Sequence, residues 1–149
     1  LVYVSARDAT THLFLYDFAA RAETQLTSSS SNDVTPVWSP DGKSIAFMRG
    51  AKELHVVDVA TKQDRMLATG ELDRPPFVSD HSIAWSPDGK WIAFLNGGQG
   101  AFQNPYIVPL DGGRALPAAY LRGGFGGSVV PAKPRSRPPT RAAAVCRTG

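Results

Sequence analysis

The sequence contains very little cysteine and no grouping of metal-binding side chains. Cys146 is the only cysteine in 149 residues, so no disulfide can form within the chain. None of the three histidines belongs to an H-x-x-x-H pair, and the sequence has no Asp-rich calcium loop. No apolar run approaches the roughly 18 residues that a membrane helix needs. We therefore expect no metal, no cofactor and no membrane span.

Acidic residues are absent from the last part of the chain. Residues 131–149 carry five Lys and Arg residues and no Asp or Glu, whereas residues 1–130 carry 11 basic and 13 acidic residues. The net charge of +3 therefore originates in the tail. A basic, Pro-rich tail is compatible with nucleic-acid binding, but this one has no aromatic residue on which a base could stack. We expect no nucleic-acid partner.

The sequence does contain an internal repeat. The segment WSPDGKSIAF at 38–47 returns as WSPDGKWIAF at 85–94, an offset of 47 residues. Each copy has an apolar triplet, a second apolar run that ends in Asp, and a short, weaker strand. The apolar triplets are Leu1–Tyr3, Ile45–Phe47 and Ile92–Phe94, and the second runs are Leu13–Asp17, Leu54–Asp58 and Tyr106–Asp111. A period of roughly 40–50 residues with four short strands is typical of a β-propeller blade.

The Ser-Pro-Asp-Gly segment has the composition of a tight turn between two strands of a blade. Pro presets φ at about −65°, Asp can bond its own backbone, and Gly takes a positive φ at little cost. The Ile-Ala-Phe strand that follows is apolar on both faces, as a sheet covered on both sides requires. The two tryptophans that open the repeated segments, Trp38 and Trp85, are predicted to fill core positions between blades. We assign a structural role in the repeat to Trp38, Ser39, Pro40, Asp41, Gly42, Trp85, Ser86, Pro87, Asp88 and Gly89.

These patterns predict an all-β fold, a β-propeller fragment of about three four-stranded antiparallel blades. Residues 1–130 form the partial propeller, with its first and last blades incomplete, because closed rings need four to eight blades. The first copy starts at the equivalent of Ile45, which leaves it without an innermost strand. We expect the remaining blades of a parent propeller as partners, and self-association of the chain when it is expressed alone.

The repeat pattern stops near Val130. Gly126–Val130 aligns with the segments that lead into Trp38 and Trp85, but a Pro/Arg-rich tail at 131–149 follows. One hypothesis is that the native reading frame is lost at this point. The alternative is a genuine disordered linker.

The repeat resembles the WD-like propeller repeat of TolB and of the non-catalytic propellers of tricorn-type and prolyl-oligopeptidase-type peptidases. The resemblance rests on WSPDGK-x-IAF and on the strand-turn segments LHVVDVATK and YIVPLDGG. Residues 69–98 are similar to propeller segments that precede tricorn-like protease modules. The resemblance implies a binding role without catalysis and a periplasmic or other extracytoplasmic location, while the parent protein is a candidate serine peptidase.

A search for catalytic motifs supports that reading. Gly126–Val130 is the nearest string to a G-x-S-x-G elbow, and it lacks the closing Gly. His55 lies in a predicted strand, His12 in a predicted loop, and His81 in a polar lead-in. We interpret all three as structural or solvated, and we expect this segment to have no enzymatic activity.

Recognition is expected in the least repeat-like loops, because loops on a rigid scaffold commonly carry binding. The candidate segments are Ser28–Asp33, Glu71–His81 and Gly97–Asn104, and the candidate binding residues are Arg74, Phe77, His81 and Phe102. The expected partner is a polypeptide or protein. Three functions remain open: a propeller that gates or delivers substrate to a peptidase, a TolB-like propeller that binds envelope proteins, and a sensor or scaffold propeller of a larger receptor.

Overall fold

The structure is a computed structural model, and it describes residues 1–7, 9–70, 72, 82–97 and 103–118. These residues form eleven β-strands in three antiparallel sheets and no helix. The described part of the chain consequently has no helix that could cross a membrane. The all-β propeller architecture expected from the repeat is confirmed.

Each sheet is one propeller blade whose strands follow one another in sequence. Blade 1 consists of β1 (Val2–Ala6), β2 (Thr11–Asp17) and β3 (Ala22–Gln25). Blade 2 consists of β4 (Asp33–Trp38), β5 (Ser44–Arg49), β6 (Glu53–Asp58) and β7 (Asp64–Thr69). Blade 3 consists of β8 (Ile83–Trp85), β9 (Trp91–Gly97), β10 (Gln103–Pro109) and β11 (Leu116–Pro117).

The two Ser-Pro-Asp-Gly turns connect the first two strands of blades 2 and 3. Gly42 and Gly89 each have φ of +69°, a left-handed conformation that residues with a Cβ adopt only at a cost. The N–H of Ser39 donates to the carbonyl of Ser44 at 2.9 Å, and Ser86 and Trp91 repeat this bond at 2.9 Å. The same local chemistry therefore builds both hairpins.

The core lies between the blades because successive residues of a strand point to opposite faces. Ile45 and Phe47 of β5 face blade 1, while Ala46 and Met48 face blade 3. The cluster between blades 1 and 2 contains Leu13, Leu26, Ile45, Phe47 and Val57. The cluster between blades 2 and 3 contains Ala46, Met48, Leu54, Val56, Ala68, Leu72, Ile83, Ile92, Phe94 and Val108. Each large buried side chain contributes about 1.5–3 kcal/mol to folding.

A bulge in β4 controls which of its side chains face blade 1. The register shifts between Val34 and Val37, and Thr35 has φ of +55°. In a regular strand Asp33 and Trp38, five positions apart, would point to opposite faces. The extra residue brings both to one face, where Asp33 pairs with Arg49 and Trp38 pairs with Ile45.

Candidate functional site

The blades have two distinct ends. The lower end carries the Ser-Pro-Asp-Gly turns, and the upper end carries the β5–β6 turn at 50–52. Because the strands alternate in direction, the connections β3–β4, β7–β8 and β9–β10 all leave from the upper end. These are the three connections that the sequence identifies as candidate binding segments. The candidate binding residues Arg74, Phe77, His81 and Phe102 lie outside the described residues.

The upper end of the interface between blades 1 and 2 contains a buried ion pair. Asp33 at the start of β4 is fully buried, and Arg49 at the end of β5 is mostly buried. Arg49 Nε lies 2.7 Å from Asp33 Oδ1 and Nη2 lies 3.1 Å from Oδ2, so the guanidinium binds the carboxylate in a bidentate manner. The same Nη2 lies 2.6 Å from Asp64 Oδ2 in β7. One guanidinium thus connects the first, second and fourth strands of blade 2.

Two more polar side chains complete this ionic cluster, which we define as Asp33, Arg49, Glu53, His55 and Asp64. His55 Nε2 is 3.0 Å from Glu53 Oε2, and His55 Nδ1 is 3.4 Å from Arg49 Nη1. The Arg49 guanidinium also lies over the Phe47 ring, 5.2 Å from its centroid. Burial lowers the pKa of Arg49, but its hydrogen bonds to Asp33 and Asp64 outweigh that effect and raise the pKa. Arg49 therefore stays charged.

His12 occupies a different place from the one that the sequence predicts. It lies within β2 and is 5% exposed, whereas a loop was expected. The predicted apolar run begins at Leu13, whereas the strand begins two residues earlier, at Thr11. His12 Nε2 is 3.0 Å from Thr10 Oγ1, and Nδ1 is 3.9 Å from Asp33 Oδ2, too far for a hydrogen bond. Among the described residues, His12 Nδ1 has no hydrogen-bond partner.

The cluster is arranged to join strands. Thr11 reinforces the same junction, since its N–H donates to Asn32 Oδ1 at 2.9 Å and its hydroxyl donates to the Asp33 carbonyl at 3.2 Å. The fully buried carboxylate of Asp33 lies against the Arg49 guanidinium, as a buried charge requires, and the more exposed Asp64 and Glu53 lie against Arg49 and His55. The described residues contain no group of three or more side chains suited to a metal ion.

The lower end has a cleft of about 320 Å³ between the two Ser-Pro-Asp-Gly turns. Its walls include Ser39, Asp41, Trp85, Asp88 and Leu110. The Ser39 hydroxyl donates to Asp41 Oδ1 at 2.7 Å, and the Ser86 hydroxyl donates to Asp88 Oδ1 at 2.6 Å. These hydroxyls, followed by the N–H groups of Lys43 and Lys90, lower the pKa of both carboxyls. Both Asp residues carry full negative charge at neutral pH and bond mainly to their own turns.

The sequence pattern does not predict the ionic cluster. It places Asp33 at the end of a candidate binding loop and His55 in a strand, and it indicates no role for Arg49. Arg49 directly after the apolar Ile45–Met48 run was the available signal, because a charge that follows a run buried on both faces needs a partner nearby.

The comparisons with known proteins agree with this architecture. A family model described as the dipeptidyl peptidase IV (DPP IV) N-terminal region matches residues 6–101. No curated protein is significantly similar to the chain. TolB from Acinetobacter baumannii is similar in structure, with a TM-score of 0.63 and 21% identity over 80% of this chain and 30% of TolB.

Two further solved structures share the fold. The tricorn protease has a TM-score of 0.59 and 15% identity, over 78% of this chain and 12% of the protease. An oligogalacturonate lyase in complex with manganese has a TM-score of 0.61 and 17% identity, over 80% of this chain and 36% of the lyase. The chain thus spans no more than 36% of any of these three proteins, and the likeness concerns the fold. The predicted resemblance to TolB-like and peptidase propellers is confirmed. Because the family match covers more than half of the chain, the chain belongs to the family of the dipeptidyl peptidase IV N-terminal region.

Proposed function

We propose that this chain is a non-catalytic propeller segment that binds polypeptide and gates or delivers it to a peptidase carried by the full-length protein. The observation that carries the proposal is the match of residues 6–101 to the DPP IV N-terminal region. The ionic cluster is consistent with a role without catalysis, because Asp33, Arg49 and Asp64 are engaged in holding strands together.

The upper end is the surface on which we expect the polypeptide to bind. All three of the least repeat-like connections leave from it, and loops on a rigid scaffold commonly carry recognition. Lys52 in the β5–β6 turn is exposed at this end, and Lys43 beside the first Ser-Pro-Asp-Gly turn is exposed at the lower end. The two lysines therefore form a matched pair of positions for probing the two ends.

Site-specific photocross-linking tests the binding surface. A photoreactive residue replaces Lys52 in one variant and Lys43 in the other, and each is irradiated with a labelled unstructured polypeptide. We expect cross-links from position 52 to be several times more abundant than those from position 43. Equal yields at the two positions would contradict recognition at the upper end.

The role in gating is tested on the full-length protein with peptide substrates of two lengths. A bulky adduct on Lys52→Cys is expected to slow hydrolysis of long peptides more than that of short ones, while the same adduct on Lys43→Cys leaves both rates unchanged. An equal effect at both positions would contradict gating.

A TolB-like propeller that binds envelope proteins is the alternative, favoured by the TM-score of 0.63 with TolB. A full-length protein with no hydrolase domain, no amide hydrolysis and direct binding to purified envelope proteins would support this alternative over the peptidase role.

A further inference from the structure

The interface between blades 1 and 2 contains a buried histidine whose ring has a partner on one side only. His12 is 5% exposed, and its Nε2 lies 3.0 Å from the Thr10 hydroxyl. Its Nδ1 is enclosed and has no hydrogen-bond partner among the described residues. The Asp33 carboxylate of blade 2 lies near this nitrogen, with 3.9 Å between Nδ1 and Oδ2. Buried polar groups normally have a partner, so this nitrogen requires an explanation.

Neither neutral form of the ring satisfies Nδ1 in this position. When Nδ1 carries the hydrogen, Asp33 Oδ2 is too far away to accept it. When Nε2 carries the hydrogen, the lone pair of Nδ1 lies near a carboxylate, which has nothing to donate. The imidazolium has an N–H on both nitrogens, so Nε2 can donate to Thr10 while Nδ1 serves Asp33. A movement of about 1 Å would bring Nδ1 and Oδ2 to the distance of a charge-assisted hydrogen bond.

Asp33 is able to accept this additional bond. Its two oxygens bind Arg49 Nε at 2.7 Å and Nη2 at 3.1 Å, whereas an ionised carboxylate has about four lone-pair sites. The guanidinium of Arg49 is also shared with Asp64, at 2.6 Å. Asp33 therefore does not have the positive charge of Arg49 to itself, and a second cation beside it is favourable.

The charges around the ring favour the uptake of a proton. The ionic cluster contains three carboxylates and one guanidinium, so it has two negative charges in excess while its own histidine is neutral. On the blade 1 side, Arg7 is paired with Glu23, and Thr10 is uncharged. An excess of negative charge favours the protonated form of a nearby imidazole, whereas burial opposes it. The contact with Asp33 supplies the compensation that a buried charge needs.

The same contact lies at the end of the segment that crosses from blade 1 to blade 2. The N–H of Thr11 donates to Asn32 Oδ1 at 2.9 Å, and its hydroxyl donates to the Asp33 carbonyl at 3.2 Å. A bond from His12 to the Asp33 carboxylate would add a third connection between β2 and this segment. The segment Ser28–Asp33 is therefore the part of the chain that the proton would hold more firmly.

From these observations we infer that His12 is a proton-dependent lock between blades 1 and 2. Uptake of one proton from solvent converts the ring to the imidazolium, whose Nδ1–H binds Asp33 Oδ2, and loss of that proton breaks the bond. The added stability is present below about pH 6, where histidine is commonly protonated, and is lost as the pH rises. The inference rests on this interface and not on the proposed function.

The protonation state of the ring in the folded chain is the first test. NMR of the 149-residue chain with isotope-labelled histidine distinguishes a neutral ring, which has two unlike nitrogens, from an imidazolium, which has two protonated ones. The signals that disappear in His12→Gln belong to His12. We expect an imidazolium in the folded chain at about pH 5.5. A neutral His12 ring under these conditions would overturn the inference.

Hydrogen exchange measures the effect on the interface. After correction for the intrinsic effect of pH, the amides of residues 28–33 are expected to exchange about fivefold more slowly at about pH 5.5 than at about pH 7.5. His12→Gln keeps a neutral polar side chain and is expected to remove this difference. Circular dichroism at both pH values verifies that the variant is folded.

His55→Gln is the matched control for the other histidine of the interface. Arg49 can only donate, so its contact with His55 Nδ1 at 3.4 Å requires a neutral His55 ring. The pH effect on residues 28–33 is expected to persist in this variant. Exchange that does not depend on pH in the unmodified chain would overturn the inference, as would an equal loss of the effect in His55→Gln. A pH effect that varies with protein concentration would assign it to self-association and would also overturn the inference.

Discussion

The indole N–H of Trp85 in blade 3 donates to the carbonyl oxygen of Val37 in blade 2 at 3.1 Å. The side chain of a repeat tryptophan thus binds the backbone of the preceding blade, at the residue before the other repeat tryptophan. The bond lies beside the apolar cluster between blades 2 and 3, against which both residues pack.

Trp85→Phe is expected to lower the free energy of unfolding by about 1 kcal/mol through loss of this hydrogen bond, with an additional loss of packing. Chemical denaturation followed by circular dichroism measures the change. Trp91→Phe is the control, because Trp91 is 38% exposed. Equal effects of the two substitutions would show that the interblade bond contributes nothing specific.

Removing one member of the Asp33–Arg49 pair is expected to destabilise the protein by about 3 kcal/mol, since it leaves the other charge buried without its partner. Arg49→Met and Asp33→Ala test the two directions, and the double variant is expected to be less destabilised than the sum of the singles. Lys52→Met removes an exposed cation at the same end and is expected to change stability little. Additive effects of the two single substitutions would contradict the coupling.

The two Ser-Pro-Asp-Gly turns are expected to lose stability in acid. The pKa of Asp41 and of Asp88 is lowered in the folded state, first by the serine hydroxyl and then by the lysine N–H. The stabilisation is therefore present above the ordinary pKa of about 3.8 and is lost as pH falls through the lower folded value. Asp41→Asn and Asp88→Asn are expected to lower Tm at pH 7, and this difference should shrink as pH falls below 3.8. A difference in Tm that stays the same down to the most acidic pH at which the protein folds would contradict the electrostatic cause.

A side chain at Gly70 is expected to require a shift of the Asn96 side chain. A Cβ at Gly70 would lie 2.4 Å from Asn96 Oδ1 and 2.7 Å from its Cγ, so blades 2 and 3 approach closely here. Gly70→Ala must displace Asn96 and is expected to cost about 1–3 kcal/mol. Asn96→Ala in the same chain is expected to recover part of that loss. Thermal unfolding of the two single variants and the double variant provides the test, and full additivity would mean that the contact is unimportant.

The sequence by itself determined the repeated hairpins, because their hydrogen bonds are local. Ser39, Asp41 and Ser44 bond within six residues, so the same short segment builds the same turn at both of its positions. It also determined which faces of β5 are buried, since a strand that is apolar at every position from Ile45 to Met48 must be covered on both sides. Both conclusions follow from spacing along the chain.

Only the tertiary structure decided which polar groups meet. Arg49 bonds to Asp33 and Asp64, which lie in different strands, and the bulge at Thr35 turns Asp33 towards them. The physical reason is that alternation along a strand specifies the face on which a side chain lies, while its partner depends on strand register and on how the blades pack.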